Sequence, residues 1–199
     1  MSVLAINRST IVDRIIPRSL AADIALIAAG SALTAVAAQI SIPASPVPFT
    51  FQTLVVLLVG ASLGSVRGAL SMALYALLGV VGLPVFAPLS DGSHAVGLQA
   101  MLGATFGFVI GFIAAAFVVG LLAERNWSSH AVKMFATYAI GSLVIYSFGI
   151  PVLAAVATQG NLTAAAQIMV PFLVWDAVKA IAAAALLPLA WAGVKKLKG

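Results

Sequence analysis

Cysteine is absent from this 199-residue chain, which removes disulfides, thiolate metal sites and cysteine nucleophiles and leaves the redox compartment open. Charge is almost as scarce: Asp, Glu, Lys and Arg make up 8% of the residues, where a soluble domain carries about a quarter. No G-x-x-x-x-G-K-[S/T] run occurs, so the chain does not itself cradle ATP in the P-loop manner. The two histidines, His94 and His130, fall in expected connections on opposite sides, so they share neither a metal nor a triad. Gly141-Ser142 has no histidine expected near it. The carboxylates expected inside apolar segments are Asp23 and Asp176, which argues against catalysis by paired carboxylates. Binding without a cofactor fits this inventory better than reaction.

Hydrocarbon fills the space that charge leaves. Hydrophobic residues make up 63% of the chain, and the mean hydropathy is +1.17. A hydrocarbon core of about 30 Å needs helices of about 20 apolar residues, and the sequence delimits six apolar segments, at 20–40, 51–63, 68–83, 98–122, 131–157 and 165–194. Alternating-hydrophobicity segments of the barrel type are missing. The expected fold is an all-α membrane protein of six transmembrane helices. It comprises an N-terminal segment over 1–18, a single membrane domain over 19–195 and a basic tail over 196–199.

The net charge of +5 does not point to nucleic acid, because the basic residues cluster at the ends of apolar runs. Arg8, Arg14 and Arg18 precede the first segment, Arg67 divides the second from the third, and Arg125 and Lys133 divide the fourth from the fifth. Lys195, Lys196 and Lys198 follow the sixth. Connections 41–50, 84–97 and 158–164 have no Lys or Arg, so the positive-inside rule places both termini in the cytoplasm. Residues 14–39 also have the form of a signal peptide, with Ala35-Val36-Ala37 as a cleavage site, but Asp23 inside the run argues for a retained helix.

Lys179 is the basic residue that this rule leaves over. It forms with Asp176 the one opposite-charge pair inside an apolar segment, three apart and so on one helix face. Such residues are costly in hydrocarbon and usually face a bundle interior or polar cavity. The pair lies roughly 8–12 Å beyond Pro171 along the helix, in the outer half if the sixth helix runs inward. Thr50 and Gln52 are expected at the outer end of the second helix, and Gln99 and Thr105 at the outer end of the fourth. Tyr75, Phe86, Phe106, Phe108, Phe172 and Trp175 can supply apolar walls to an outward-facing site. The competing reading is a structural ion pair between helices.

Two connections carry their own signals. Residues 41–50 include Pro43, Pro46 and Pro48, which favour extended, rigid backbone. Residues 83–97 pair an apolar half containing Phe86 with a Ser90-Asp91-Gly92-Ser93 turn, and serve either as a lid or as an ordinary surface loop. Small residues recur every four positions at Gly60, Gly64 and Gly68 and at Gly103, Gly107 and Gly111, a spacing that suits packing within the chain. Ala21, Ala25 and Ala29 make the first helix smooth enough to slide against another subunit.

The block over residues 39–87 resembles the BioY family, the biotin-binding S components of energy-coupling factor transporters. The resemblance rests on Ile42-Pro43, Pro46-Val47-Pro48, Thr50, Gln52-Thr53-Leu54, Gly60, Leu63-Gly64, Gly68, Tyr75, Leu78-Gly79 and Gly82-Leu83-Pro84-Val85-Phe86. The order of six helices and the stretch from Pro171 to Lys179 agree with it. Two places depart from the family pattern. Gly103-Ala104-Thr105-Phe106-Gly107-Phe108 stands where a Gly-Pro-Thr-Gly-Gly-Tyr-type run is usual, and Val174-Trp175 where Pro-Gly is usual.

The resemblance implies capture of biotin on the extracellular side of the cytoplasmic membrane. Asp176 would accept from a ureido N–H, and Lys179 would either compensate that carboxylate or donate to the ligand. Gln52, Thr50 and Thr105 would be neutral partners, and Tyr75, Phe86, Phe108 and Trp175 would cover the rings. It also implies membrane lipid around the chain, and as partners a transmembrane coupling subunit and two ATPases, with Ala21, Ala25 and Ala29 as the docking face. An S component for thiamine or riboflavin is the nearest rival, which Lys179 disfavours for a cationic substrate. An intramembrane enzyme using Asp176 and a purely structural subunit are the others.

Overall fold

The computed structural model describes residues 10–42 and 44–198, apart from the side chains of residues 195, 197 and 198. Arg8, Pro43 and the side chains of Lys195 and Lys198, all used above, lie outside the described residues. Among these residues the chain forms seven α-helices: α1 (Leu20–Gln39), α2 (Gln52–Leu63), α3 (Ser65–Val80), α4 (Leu98–Met101), α5 (Phe106–Glu124), α6 (Ala131–Ala157) and α7 (Leu162–Lys198). A two-stranded antiparallel ribbon, β1 (Ser41–Ile42) with β2 (Phe49–Thr50), closes the connection between α1 and α2 in the register Ser41↔Thr50. By length and composition α1, α5, α6 and the Leu162–Val194 stretch of α7 can each cross a membrane. At 12 and 16 residues, α2 and α3 are about 18 and 24 Å long.

Capping sets several of these ends. Ser19 opens α1 by accepting the Ala22 N–H at 3.1 Å, and Asn161 opens α7 by accepting the Ala164 N–H at 3.0 Å. The expected fourth segment is divided: Leu98–Met101 is a single turn, and the long helix begins at Phe106. Gly103 and Thr105, poor helix formers, occupy the break.

The third helix also starts earlier than the segment 68–83 suggests, at Ser65, so Arg67 lies in its first turn and not in a connection. The turn is Gly64 alone, at φ +88°, which favours glycine, and a Cβ there would stand 2.8 Å from Glu124 Oε1. Having no side chain to cap α3, Gly64 leaves that task to α5. Glu124 accepts both the Ser65 N–H and the Ser65 hydroxyl at 2.8 Å, and its charge suits a helix N-terminus.

The bundle is built around α5, whose Ala115, Ala116 and Val119 are fully buried against α2, α3 and α6. Both glycine series pack within the chain. A Cβ on Gly60 would stand 2.7 Å from the Ala116 carbonyl oxygen, one on Gly68 2.9 Å from Gly60 Cα, and one on Gly111 2.9 Å from the Ile145 carbonyl oxygen. Ala21, Ala25 and Ala29 are instead exposed on α1, beside exposed Leu20, Ile24, Leu33 and Val36.

A second set of buried charges joins helices at the opposite end from Asp176. Arg67, 3% exposed, donates to Asp23 of α1 at 3.2 Å, to Asp13 at 2.8 Å and to the Leu63 carbonyl at 2.9 Å. Asp13 also pairs with Arg18 at 3.3 Å. Burial raises the affinity of Asp13 for a proton, but hydrogen bonds from Thr10, Arg18 and Arg67 outweigh it and hold the carboxyl below its usual range. Nearby, Trp191 of α7 donates to Ser128 at 3.0 Å and lies under the Arg14 guanidinium. Arg67 is thus a buried structural cation in the first turn of α3.

Candidate functional site

The site begins with helical spacing. Asp176 and Lys179 lie on one face of α7, and their charged groups meet at 3.7 Å, each side chain 11% exposed. Lys179 Nζ also donates to the Thr50 carbonyl at 2.8 Å and the Thr53 hydroxyl at 2.7 Å. The ammonium therefore ties α7 to the end of β2 and the first turn of α2. Asp176 accepts from Tyr146 of α6 through Oδ2 and from Thr53 at 3.5 Å through Oδ1. One cation and one anion balance each other; two hydroxyls donate to the carboxylate, and a hydroxyl and a backbone carbonyl accept from the ammonium.

Thr50 places Gln52 as well as receiving Lys179. Its hydroxyl oxygen accepts the Gln52 N–H at 3.2 Å at the start of α2. The Gln52 amide then donates to the buried Tyr75 hydroxyl at 2.7 Å. These groups line a cavity of about 850 Å³, its open mouth included, between the ribbon, α2, α3, α5, α6 and α7.

Aromatic rings share the remaining wall with aliphatic side chains. Phe86 packs edge-on to Tyr75 at 5.4 Å and to Phe106 at 6.5 Å, in the space that Gly79 leaves by having no side chain. Phe108 meets Tyr146 edge-on at 6.4 Å, and Phe172 stacks on Phe49 at 4.0 Å. Residues 83–97 cover the cavity: Phe86, Ala87, Leu89 and Ala95 line it. The Phe86 carbonyl is pinned by Gln39 at 3.3 Å and by His94 Nδ1 at 2.9 Å. At the outer turn Ser93 donates twice to Asp91, which holds that exposed carboxyl below its usual range.

Of the expected residues, Asp176, Lys179, Gln52, Thr50, Thr105, Tyr75, Phe86 and Phe108 all line this cavity. Trp175 does not. One residue from Asp176 is about 100° around a helix, and the indole is 47% exposed. It lines a second, open groove between the ribbon and α7, with Ile40, Ile42, Phe51 and Val178, which shares Thr50 and Lys179 with the cavity. Gln99 is exposed and outside the cavity lining. Sequence reasoning missed Thr53, Tyr146 and, behind them, Tyr138, whose hydroxyl donates to Thr53 at 3.5 Å. A hydroxyl-bearing pair eight apart on the apolar α6 was the available signal for the tyrosines.

Comparison with known proteins gives a family match, two relatives and one solved structure. The model of the BioY family matches residues 8–196. A biotin transporter BioY of Thermotoga maritima is 45% identical over 134 residues, 64% of this chain and 73% of the relative. One of Rhizobium etli is 40% identical over 154 residues, 74% of this chain and 79% of the relative. Among solved structures, the S-component for biotin from an ECF-type ABC transporter matches with a TM-score of 0.71, covering 89% of this chain and 91% of that one. At 21% identity that likeness is one of fold.

Proposed function

The chain belongs to the BioY family, and from that premise we propose that it is the substrate-specific S component of an energy-coupling factor transporter whose cavity binds biotin. Its work is transport and not catalysis. The observation that carries the reading is Asp176: a carboxylate held by Tyr146 and Thr53 in a cavity walled mainly by aromatic and aliphatic side chains, with a few polar groups beside it. A ureido ring offers N–H donors to such an acceptor, and charge-assisted hydrogen bonds are strong where water is excluded. Phe86, Phe106 and Phe108 suit the apolar thioether ring, and Thr50, Gln52 and Thr105 are the neutral polar partners. Lys179 supplies the counter-charge.

The chain works in the cytoplasmic membrane as a six-span protein, with α2 and α3 as a short hairpin and both termini in the cytoplasm. The inside rule supports this orientation through Arg14, Arg18, Arg125, Lys133 and Lys196. Translocation then draws on a transmembrane coupling subunit and two ATPases, for which the exposed Ala21, Ala25 and Ala29 face of α1 is the docking surface.

Calorimetric titration of the purified protein against biotin, thiamine and riboflavin tests the reading. Tight binding of biotin alone is expected, weakened roughly 10–100-fold in Asp176→Asn by loss of a hydrogen bond to a charged group. Preference for another vitamin, or wild-type affinity in Asp176→Asn, would overturn it.

A further inference from the structure

The polar web behind Asp176 has a direction. The Thr53 hydroxyl oxygen accepts from Lys179 at 2.7 Å and from Tyr138 at 3.5 Å. With its lone pairs so used, the one hydrogen of Thr53 is left for Asp176 Oδ1, 3.5 Å away. Tyr146 sends its own hydrogen to Oδ2. Each carboxylate oxygen therefore receives a hydrogen-bond donor from the protein, and both donors come from residues that line the cavity. An ionised carboxylate is acceptor-only, and its remaining lone pairs can take a hydrogen but cannot give one.

We propose that Tyr146 is a positioning residue for substrate selection: by donating to Asp176 Oδ2 it holds that carboxylate in one orientation, so that its remaining lone pairs meet ligands that present an N–H there. Thr53 does the same for the other oxygen. The inference rests on the proposed function above, because it takes the ureido group of biotin as the N–H donor. In this role the Tyr146 hydroxyl hydrogen goes to Asp176 and is not offered to the ligand. The influence of Tyr146 passes through Asp176, while its ring packs on Phe108.

Tyr146→Phe keeps the ring and removes the donor. Affinities for biotin and for biotin methylated on the ureido nitrogens are measured by calorimetry in wild type, Tyr146→Phe, Asp176→Asn and the double variant. In Tyr146→Phe the preference for biotin over its methylated form is expected to fall by about tenfold, the scale of one hydrogen bond to a charged group. In the Asp176→Asn background the same substitution is expected to change biotin affinity less than about twofold, since the interaction it acts through is gone. Thr53→Val should lower the preference likewise, with Thr53→Ser restoring it, so the inference stays testable if Tyr146→Phe fails to fold.

Equal weakening towards both ligands, or full additivity with Asp176→Asn, would show a packing role and overturn the inference. Loss of affinity in Asp176→Asn with no effect of Tyr146→Phe or Thr53→Val would overturn the inference and leave the proposed function standing. Failure of the wild type to bind biotin would overturn both.

Discussion

Replacing Arg67 by Met should damage the fold far more than the loss of one exposed charge. The guanidinium is 3% exposed and serves Asp13 at 2.8 Å, Asp23 at 3.2 Å and the Leu63 carbonyl at 2.9 Å. Met fills similar volume, so the main effect is electrostatic: two carboxylates, 2% and 1% exposed, lose the cation they share. Breaking one buried pair costs about 3–5 kcal/mol. For a chain of this size about 2–4 °C accompanies each kcal/mol, so the midpoint of thermal unfolding should fall by about 6–20 °C.

Intrinsic fluorescence in detergent is a suitable assay, because Trp191 belongs to the same end of the bundle. Neutralising the carboxylates as well, with Asp13→Asn and Asp23→Asn in the Arg67→Met background, should recover more than half of the loss, since an apolar or neutral cluster avoids desolvated charge. A midpoint for Arg67→Met within about 2 °C of wild type would refute the reasoning. So would a triple variant no more stable than the single one.

Other substitutions probe separate features. Gly60→Ala would put a methyl 2.7 Å from a backbone oxygen of α5, and forcing α2 and α5 apart should cost about 1–3 kcal/mol; an unchanged unfolding midpoint would contradict that packing. Asp13 is held below its ordinary 3.8, so its stabilisation is complete above that value and is lost as pH falls through the lower folded-state value. Below about pH 4 the wild-type midpoint should therefore drop more steeply than that of Asp13→Asn, and parallel curves would remove the assignment. Ala25→Leu should block co-purification with the coupling subunit while leaving biotin affinity in detergent unchanged, and intact co-purification would move the docking face elsewhere.

Asp176 and Lys179 were legible because charge in hydrocarbon demands a reason, and three-residue spacing fixes their common face. Thr50 and Gln52 followed from their place at one end of α2. Trp175 shows where adjacency misleads: a neighbour in sequence is turned a quarter of the way round the helix and faces another groove. Tyr146 and Thr53 meet Asp176 across 30 and 123 residues respectively, and a hydroxyl in an apolar run carries no cost conspicuous enough to reveal its partner. Arg67 misled in the opposite way. It resembled a loop cation because Gly64 and Gly68 flank it closely, whereas α3 begins before it and its partner Asp13 lies 54 residues upstream.

The cap on α3 has a consequence for the order in which the chain assembles. Ser65 depends on Glu124, 59 residues further along. At a synthesis rate of about 5–20 residues per second, the start of α3 waits roughly 3–12 s for its partner to be made. Over that interval an amide and a hydroxyl would be unmatched if the turn were already sunk in lipid, where unsatisfied donors are penalised by several kcal/mol. If α2 and α3 enter the membrane as the proposed hairpin, that hairpin reaches its final depth together with α5 or after it.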